Sequence, residues 1–106
     1  MTADKLYDQT GKLRLDLIPP EMEQALAEAL GSGIDKKGYD DRRWEKGGPY
    51  MEHMASAKRH ILKWLMGEDF DEQTGQPHLV LAAWRLLAID TYMKRGIGSD
   101  NRPSKL

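Results

Sequence analysis

The sequence predicts an all-α fold: a small helical bundle with a long glycine-rich loop and a short extended N-terminal arm, completed by oligomerisation. Three observations carry this. Apolar residues recur at helical spacing in three separate stretches. Alternation of polar and apolar residues is confined to one short segment near the N-terminus. A chain of 106 residues holds one core rather than two. A single domain is expected over 1–106, with its helical core at about 18–93 and a tail at 94–106 that is either flexible or docked.

Residues 12–17 alternate, with Leu13, Leu15 and Leu17 on one side, which suits a short strand or an extended arm lying on helices. Pro19 and Pro20 reset the chain, and proline is tolerated in a first helical turn because the N–H it lacks would be unpaired there. The first helix is expected at about 20–30. Met22, Ala25, Leu26, Ala29 and Leu30 share one face, Glu21, Glu23 and Glu28 lie on the other flank, and Gly31 and Gly33 supply the stop. Residues 31–49 contain five glycines, mixed charges and two aromatics without a sustained period. A structureless connection of this length usually binds something or moves, so it reads as a lid or binding loop, or else as turns around a short helix at 35–37.

The second helix, 50–66, carries two apolar stripes: Tyr50, Met54, Ala57, Ile61 and Leu65 beside Met51, Ala55, Leu62 and Met66. Burial on two sides is expected. Gly67 ends it, and 68–72 forms an acidic connection. Pro77 opens the third helix, which runs to about 93. Arg85 is its only charged residue between Leu79 and Ile89, so this helix is expected to be central, with most of its circumference packed. Two nearly surrounded helices and one amphipathic partner leave the core short of cover, hence the expected self-association.

Composition narrows the function. At 40% hydrophobic and 31% charged, the chain is too apolar for general disorder and too polar for a membrane protein. No apolar run approaches the roughly 18 residues that span a bilayer, and the first dozen residues lack the apolar stretch of a signal peptide, so a cytoplasmic location is expected. The net charge of −1 gives no overall pull toward nucleic acid or membranes. Without cysteine, a metal would be held by carboxylates, histidines and water, with magnesium or manganese the expected ion.

Candidate chemistry gathers between Arg59-His60 and His78. On the second helix His53, Ala57, His60 and Trp64 share a stripe at the edge of the core face. His53 and His60 stand roughly 10 Å apart along the axis, at about 1.5 Å per residue, too far to share a metal. Either histidine could simply pack. On the third helix His78, Ala82, Arg85, Ile89 and Tyr92 form one stripe. A buried arginine cannot discharge itself, so Arg85 needs a carboxylate or a bound anion, and the acids of 68–72 are the nearest supply in sequence. Glu68 and Asp71, three residues apart, would meet on a helical face and coordinate a divalent cation, or face solvent. In the loop Lys36, Lys37, Arg42, Arg43 and Lys46 interleave with Tyr39 and Trp44, a pattern that suits phosphates and a stacked base, or a solvated loop anchored by Trp44.

The order of motifs is more specific than any one of them. Gly11-Lys12-x-Arg14-x-Asp16-Leu17-Ile18-Pro19-Pro20, then Trp44-Glu45-Lys46-Gly47, Arg59-His60, Gly67-Glu68-Asp69-x-Asp71, Thr74-Gly75 and His78-Leu79 follow one another. This succession, over about 11–93, resembles the dATP/dGTP diphosphohydrolase (N-terminal domain) family common in bacteriophage genomes. The resemblance implies an all-helical, MazG-like pyrophosphohydrolase. It would cleave a purine deoxynucleoside triphosphate, dATP or dGTP, to monophosphate and pyrophosphate with a divalent metal, as a homo-oligomer in the host cytoplasm. It implies Glu68 and Asp71 as metal ligands, His60 and His78 as further ligands or proton-transfer groups, and Lys46 and Arg59 as phosphate contacts. Trp44 and Arg85 join these as nucleotide-binding candidates. Leu81 and Arg85 stand where the family often has histidine and asparagine, which supports an alternative: a noncatalytic phage accessory protein binding nucleotide or a protein partner on the same scaffold. Nucleic-acid binding through the loop and the Lys58, Arg59 and Lys63 arc is disfavoured by the near-zero charge.

Overall fold

A computed structural model describes residues 6–105. The leader-peptide reading rests partly on 1–5, and the tail includes 106; these residues lie outside that range. Among the described residues the fold is all-α: α1 (Pro20–Lys37), α2 (Tyr50–Leu65) and α3 (His78–Arg95), with short 3₁₀ turns at Leu15–Leu17, Arg43–Lys46 and Pro103–Lys105. No helix among them is long and apolar enough to cross a membrane. α2 and α3 form an antiparallel hairpin, and α1 packs on α3.

α1 begins as expected, with Pro20 in its first turn and Glu21 and Glu23 where the helix dipole favours negative charge. It does not stop at Gly31 or Gly33. It runs on to Lys37 and ends at Gly38, whose left-handed φ of 70° only glycine adopts cheaply. Packing overrides the two weak helix formers: Ala29 and Ser32 are buried, and the Tyr39 ring folds back so that a Cβ on Gly33 would lie 3.3 Å from it. The long loop is therefore reduced to 38–49 and contains its own 3₁₀ turn.

The expected N-terminal arm is also different. Leu15–Leu17 is a 3₁₀ turn, and Tyr7 and Leu13 form an isolated antiparallel bridge around a turn pinned by the Asp8 carboxylate, which accepts from the amides of Thr10 and Lys12. Leu13, Leu15 and Leu17 are exposed rather than laid on helices.

Burial along α2 and α3 follows a seam of rings and small residues instead of the apolar stripes. Tyr50, His53, Ser56 and Ala57 are buried in α2, and His78, Leu81, Ala82, Ala88 and Tyr92 in α3. Burial of α2 on two sides is not observed, since Ile61, Leu62, Trp64, Leu65 and Met66 are exposed. Nor is most of α3 packed, because Leu79, Leu86, Leu87 and Met93 are exposed. Small side chains bring the two backbones close, and the polar rings then fill the seam. Every buried side-chain nitrogen or oxygen among the described residues has a hydrogen-bond partner.

The segment after α3 docks on the start of α2. The Tyr50 amide donates to the Ser99 carbonyl (3.0 Å), the Met51 amide to Asn101 Oδ1 (3.0 Å), and the Ser99 amide to the Gly48 carbonyl (3.1 Å). These bonds satisfy amides that a helix N-terminus leaves without partners. The approach needs Gly98, at φ 77°, where a Cβ would sit 2.6 Å from the Gly48 carbonyl oxygen.

Candidate functional site

The connection between α2 and α3 is a closed loop rather than a helical continuation. The Asp71 amide donates to the Gln76 carbonyl (2.8 Å), the Gly75 amide to the Asp71 carbonyl (2.8 Å), and Phe70 bridges to Pro77. The helical face on which Glu68 and Asp71 were expected to meet does not exist. Asp71 Oδ2 instead accepts from the Thr74 amide (2.9 Å) and hydroxyl (2.8 Å). Burial opposes its ionisation, but these two hydrogen bonds prevail and hold the carboxyl below its ordinary pKa. Oδ1 is left over from the turn.

His78 opens α3 and is fully buried. Its Nε2 lies 2.5 Å from Glu68 Oε2, and its Nδ1 lies 2.8 Å from Nδ1 of His60. A carboxylate only accepts, so Nε2 of His78 carries a proton, and in the neutral ring Nδ1 presents a lone pair. In that tautomer His60 Nδ1–H donates to the lone pair and His60 Nε2 is unprotonated. Burial, reinforced by His78, lowers the His60 pKa and keeps this ring neutral at pH 7. One potential ligand atom from each of His60, Asp71 and His78 lies within 4.8 Å of the others.

A second polar chain crosses the hairpin further along. The Tyr92 hydroxyl donates to the Trp44 carbonyl (2.5 Å), so it accepts from His53 Nε2–H (2.9 Å). His53 Nδ1 is then free to accept from Arg85 Nη1 (3.2 Å). Burial first, and the Arg85 charge second, push the His53 pKa down to about 4. Arg85 is partly buried and stacks 4.5 Å over the Trp84 ring. Among the described residues no carboxylate is within salt-bridge distance of it; Glu68 serves His78 and Asp71 serves Thr74. The expected salt bridge from 68–72 is absent.

A cleft of about 770 Å³ is lined by His53, His60, Asp71 and Arg85, by Lys37 at the end of α1, and by Tyr39 and Arg43 of the loop that follows it. Trp44 also lines it, but its indole packs against Trp84 (6.0 Å) and Tyr92 (6.2 Å). Lys46 and Arg59 are exposed and lie outside the lining, while His78 and Glu68 stand behind His60. Sequence reasoning assigned no site role to His53, Tyr92 or Thr74. Thr74 had a signal, because Asp-x-x-Thr-Gly is a turn in which the aspartate caps its own backbone. The His53–Tyr92 pair joins residues 39 apart and had none.

Fold and site together define a small all-α protein in which a helical hairpin brings two histidines and a carboxylate together beside a cleft lined by charges of both signs. The chain belongs to the dATP/dGTP diphosphohydrolase N-terminal family, whose model matches residues 2–102. It is 35% identical over 103 residues to a Salmonella phage PMBT28 protein named dATP/dGTP diphosphohydrolase. That match covers 96% of this chain and 33% of the relative, so the chain spans about a third of the relative's length. No solved structure matches it.

Proposed function

We propose that the chain binds a purine deoxynucleoside triphosphate, dATP or dGTP, in the cleft and hydrolyses it to monophosphate and pyrophosphate in the cytoplasm of a phage-infected cell. The observation that carries this reading is Arg85: a partly buried cation with no carboxylate partner among the described residues, lining the same cleft as His60 and Asp71. Such a guanidinium is stabilised by an anion, and its planar fork suits phosphate oxygens. Lys37 and Arg43 line the same cleft and supply positive charge for the outer phosphates, while Arg42 is paired with Glu45 and the acids Asp40, Asp41 and Glu52 also border it. The relative's name supplies the reaction class.

In the proposed step water attacks the α-phosphorus, the bond to the α,β-bridging oxygen breaks, and pyrophosphate leaves with that bond's electron pair. His60, a neutral ring on the cleft, would help hold the divalent metal, and the proton of the attacking water is released to solvent. Asp71 contributes an ionised carboxylate held in place by Thr74. A divalent metal, when bound, neutralises phosphate charge and makes the water more acidic. Lys46 and Arg59 lie outside the cleft, so phosphate binding falls to Arg85 and the loop cations. Trp44 shapes the wall and holds the loop. The working unit is proposed to be a homo-oligomer that covers the exposed leucines of α2 and α3.

The test is to incubate the purified chain with each deoxynucleoside triphosphate and magnesium, manganese, cobalt, nickel or zinc, and to identify the products. Monophosphate plus pyrophosphate is expected, lost in Arg85→Ala and Asp71→Asn proteins that keep their helical circular dichroism. No turnover of any nucleotide with any of these metals overturns the proposal. Nucleotide binding without turnover supports the noncatalytic accessory reading instead.

A further inference from the structure

We infer that His60, Asp71 and His78 form a site for a transition-metal ion of the manganese, cobalt, nickel or zinc class rather than magnesium, with Glu68 orienting His78 from outside the coordination sphere. The inference deepens the proposed function by naming its metal class, and it rests on that reading only for the metal's use.

Four observations support it. First, the three ligand atoms lie within 4.8 Å of one another. An ion with bonds of about 2.1 Å at angles of about 90° to 120° holds ligand atoms roughly 3.0–3.6 Å apart, so side-chain shifts of about an ångström close the widest pair. Second, two imidazole Nδ1 atoms face each other at 2.8 Å, and two lone pairs cannot do so without something positive between them. A proton fills that position when the rings are hydrogen-bonded. A metal ion replaces it when the rings part to roughly 3.0–3.4 Å, the spacing that bonds of about 2.1 Å impose at angles near 90° to 109°.

Third, Glu68 is committed to Nε2 of His78 at 2.5 Å. A carboxylate on the far nitrogen of a ligating histidine fixes the tautomer and aims the near nitrogen at the ion, the usual supporting arrangement of a histidine metal site. Here it directs Nδ1 of His78 toward His60. Fourth, Asp71 brings a carboxylate oxygen to within 4.8 Å of a ring nitrogen of each histidine, while the two Thr74 donors fix the carboxylate through Oδ2. The resulting donor set is two neutral imidazole nitrogens and one carboxylate oxygen. Magnesium takes oxygen donors almost exclusively and keeps much of its water, whereas imidazole suits later divalent ions. The donor chemistry thus departs from the carboxylate pair, Glu68 with Asp71, that the resemblance implies for magnesium. Three protein ligands also leave room for water or a phosphate oxygen beside Arg85.

The test uses the full untagged chain, stripped with a chelator, and no nucleotide. Titration with Co²⁺ is expected to give visible d–d bands saturating at one ion per chain, removed by Zn²⁺ and not by a hundredfold excess of Mg²⁺. His60→Gln and Asp71→Asn are expected to lose the bands, and Glu68→Gln to keep them with affinity weakened about tenfold to a hundredfold. Should the substituted chains fail to fold, Mn²⁺ added to the isotope-labelled wild-type chain is expected to broaden the NMR signals of His60, Asp71 and His78 first. Displacement by equimolar Mg²⁺, unchanged Co²⁺ binding in folded His60→Gln, or broadening centred elsewhere overturns the inference. Nucleotide turnover without this binding sinks the inference alone. Binding without turnover sinks the proposed function and leaves the site standing.

Discussion

His53 and His60 sit seven residues apart on α2 and meet different partners. His60 faces another histidine, whereas His53 is wedged between a hydroxyl and a guanidinium. With its pKa pushed from 6.5 to about 4 by burial and by Arg85, folded His53 takes its proton at lower pH than the unfolded chain does. Its contribution to stability is therefore complete above about pH 6.5 and is lost as the pH falls toward 4. His60, also lowered, acts in the same direction. Urea midpoints are expected to decline from pH 7 to pH 4, and His53→Gln, which cannot titrate, is expected to decline less. Equal declines would remove His53 as a cause. Tyr92→Phe leaves His53 Nε2–H and the Trp44 carbonyl without their shared partner, and is expected to cost about 1–3 kcal/mol in the same assay. An unchanged midpoint would show that this relay carries no net energy.

At the scale of elements, the periodic stretches that became α2 and α3 were legible to within about two residues, because a helical repeat and a flanking proline are local signals. The end of α1 was not. Gly31 and Gly33 weaken a helix, but the Tyr39 ring and the buried Ser32 that keep it going are tertiary contacts. A direct check follows, since a Cβ on Gly31 would meet nothing within 4 Å: Gly31→Ala is expected to raise stability by about 0.5–1 kcal/mol in urea denaturation. A loss would mean that the helix does not run through this position. The candidate site was legible as a set of residues. His60, Asp71, His78 and Arg85 could each be named from their types and spacing, but the division of labour could not. Placing Glu68 on the outer nitrogen of His78 depends on how the loop 66–77 folds, and helical periodicity carries no information about a loop.

Across the whole molecule, the apolar residues that periodicity assigned to a core remain largely uncovered. Leu65 is 66% exposed and Met66 85%, with Leu62, Leu86 and Leu87 also open to solvent. At about 25 cal/mol per Å² of apolar area, covering such a surface favours a second copy. Light scattering is expected to give a particle larger than one 12.1 kDa chain, and Leu65→Glu to shift it toward a single chain. A monodisperse single chain at micromolar concentration would refute self-association.

The hydrogen bonds across the hairpin are also nested, joining residues separated by 18 (His60–His78), 32 (His53–Arg85), 39 (His53–Tyr92) and 50 (Met51–Asn101) positions. Nesting of this kind sets an order of events. Each pairing closes a chain loop only modestly longer than the one before, so its entropy cost is small once the inner one exists. The hairpin can zip from the histidine cluster outward, and the Gly98 junction with Gly48 seals last. Gly98→Ala should therefore accelerate unfolding in stopped-flow experiments while leaving the refolding rate nearly unchanged, whereas Asp71→Ala, which cuts the innermost turn, should slow refolding.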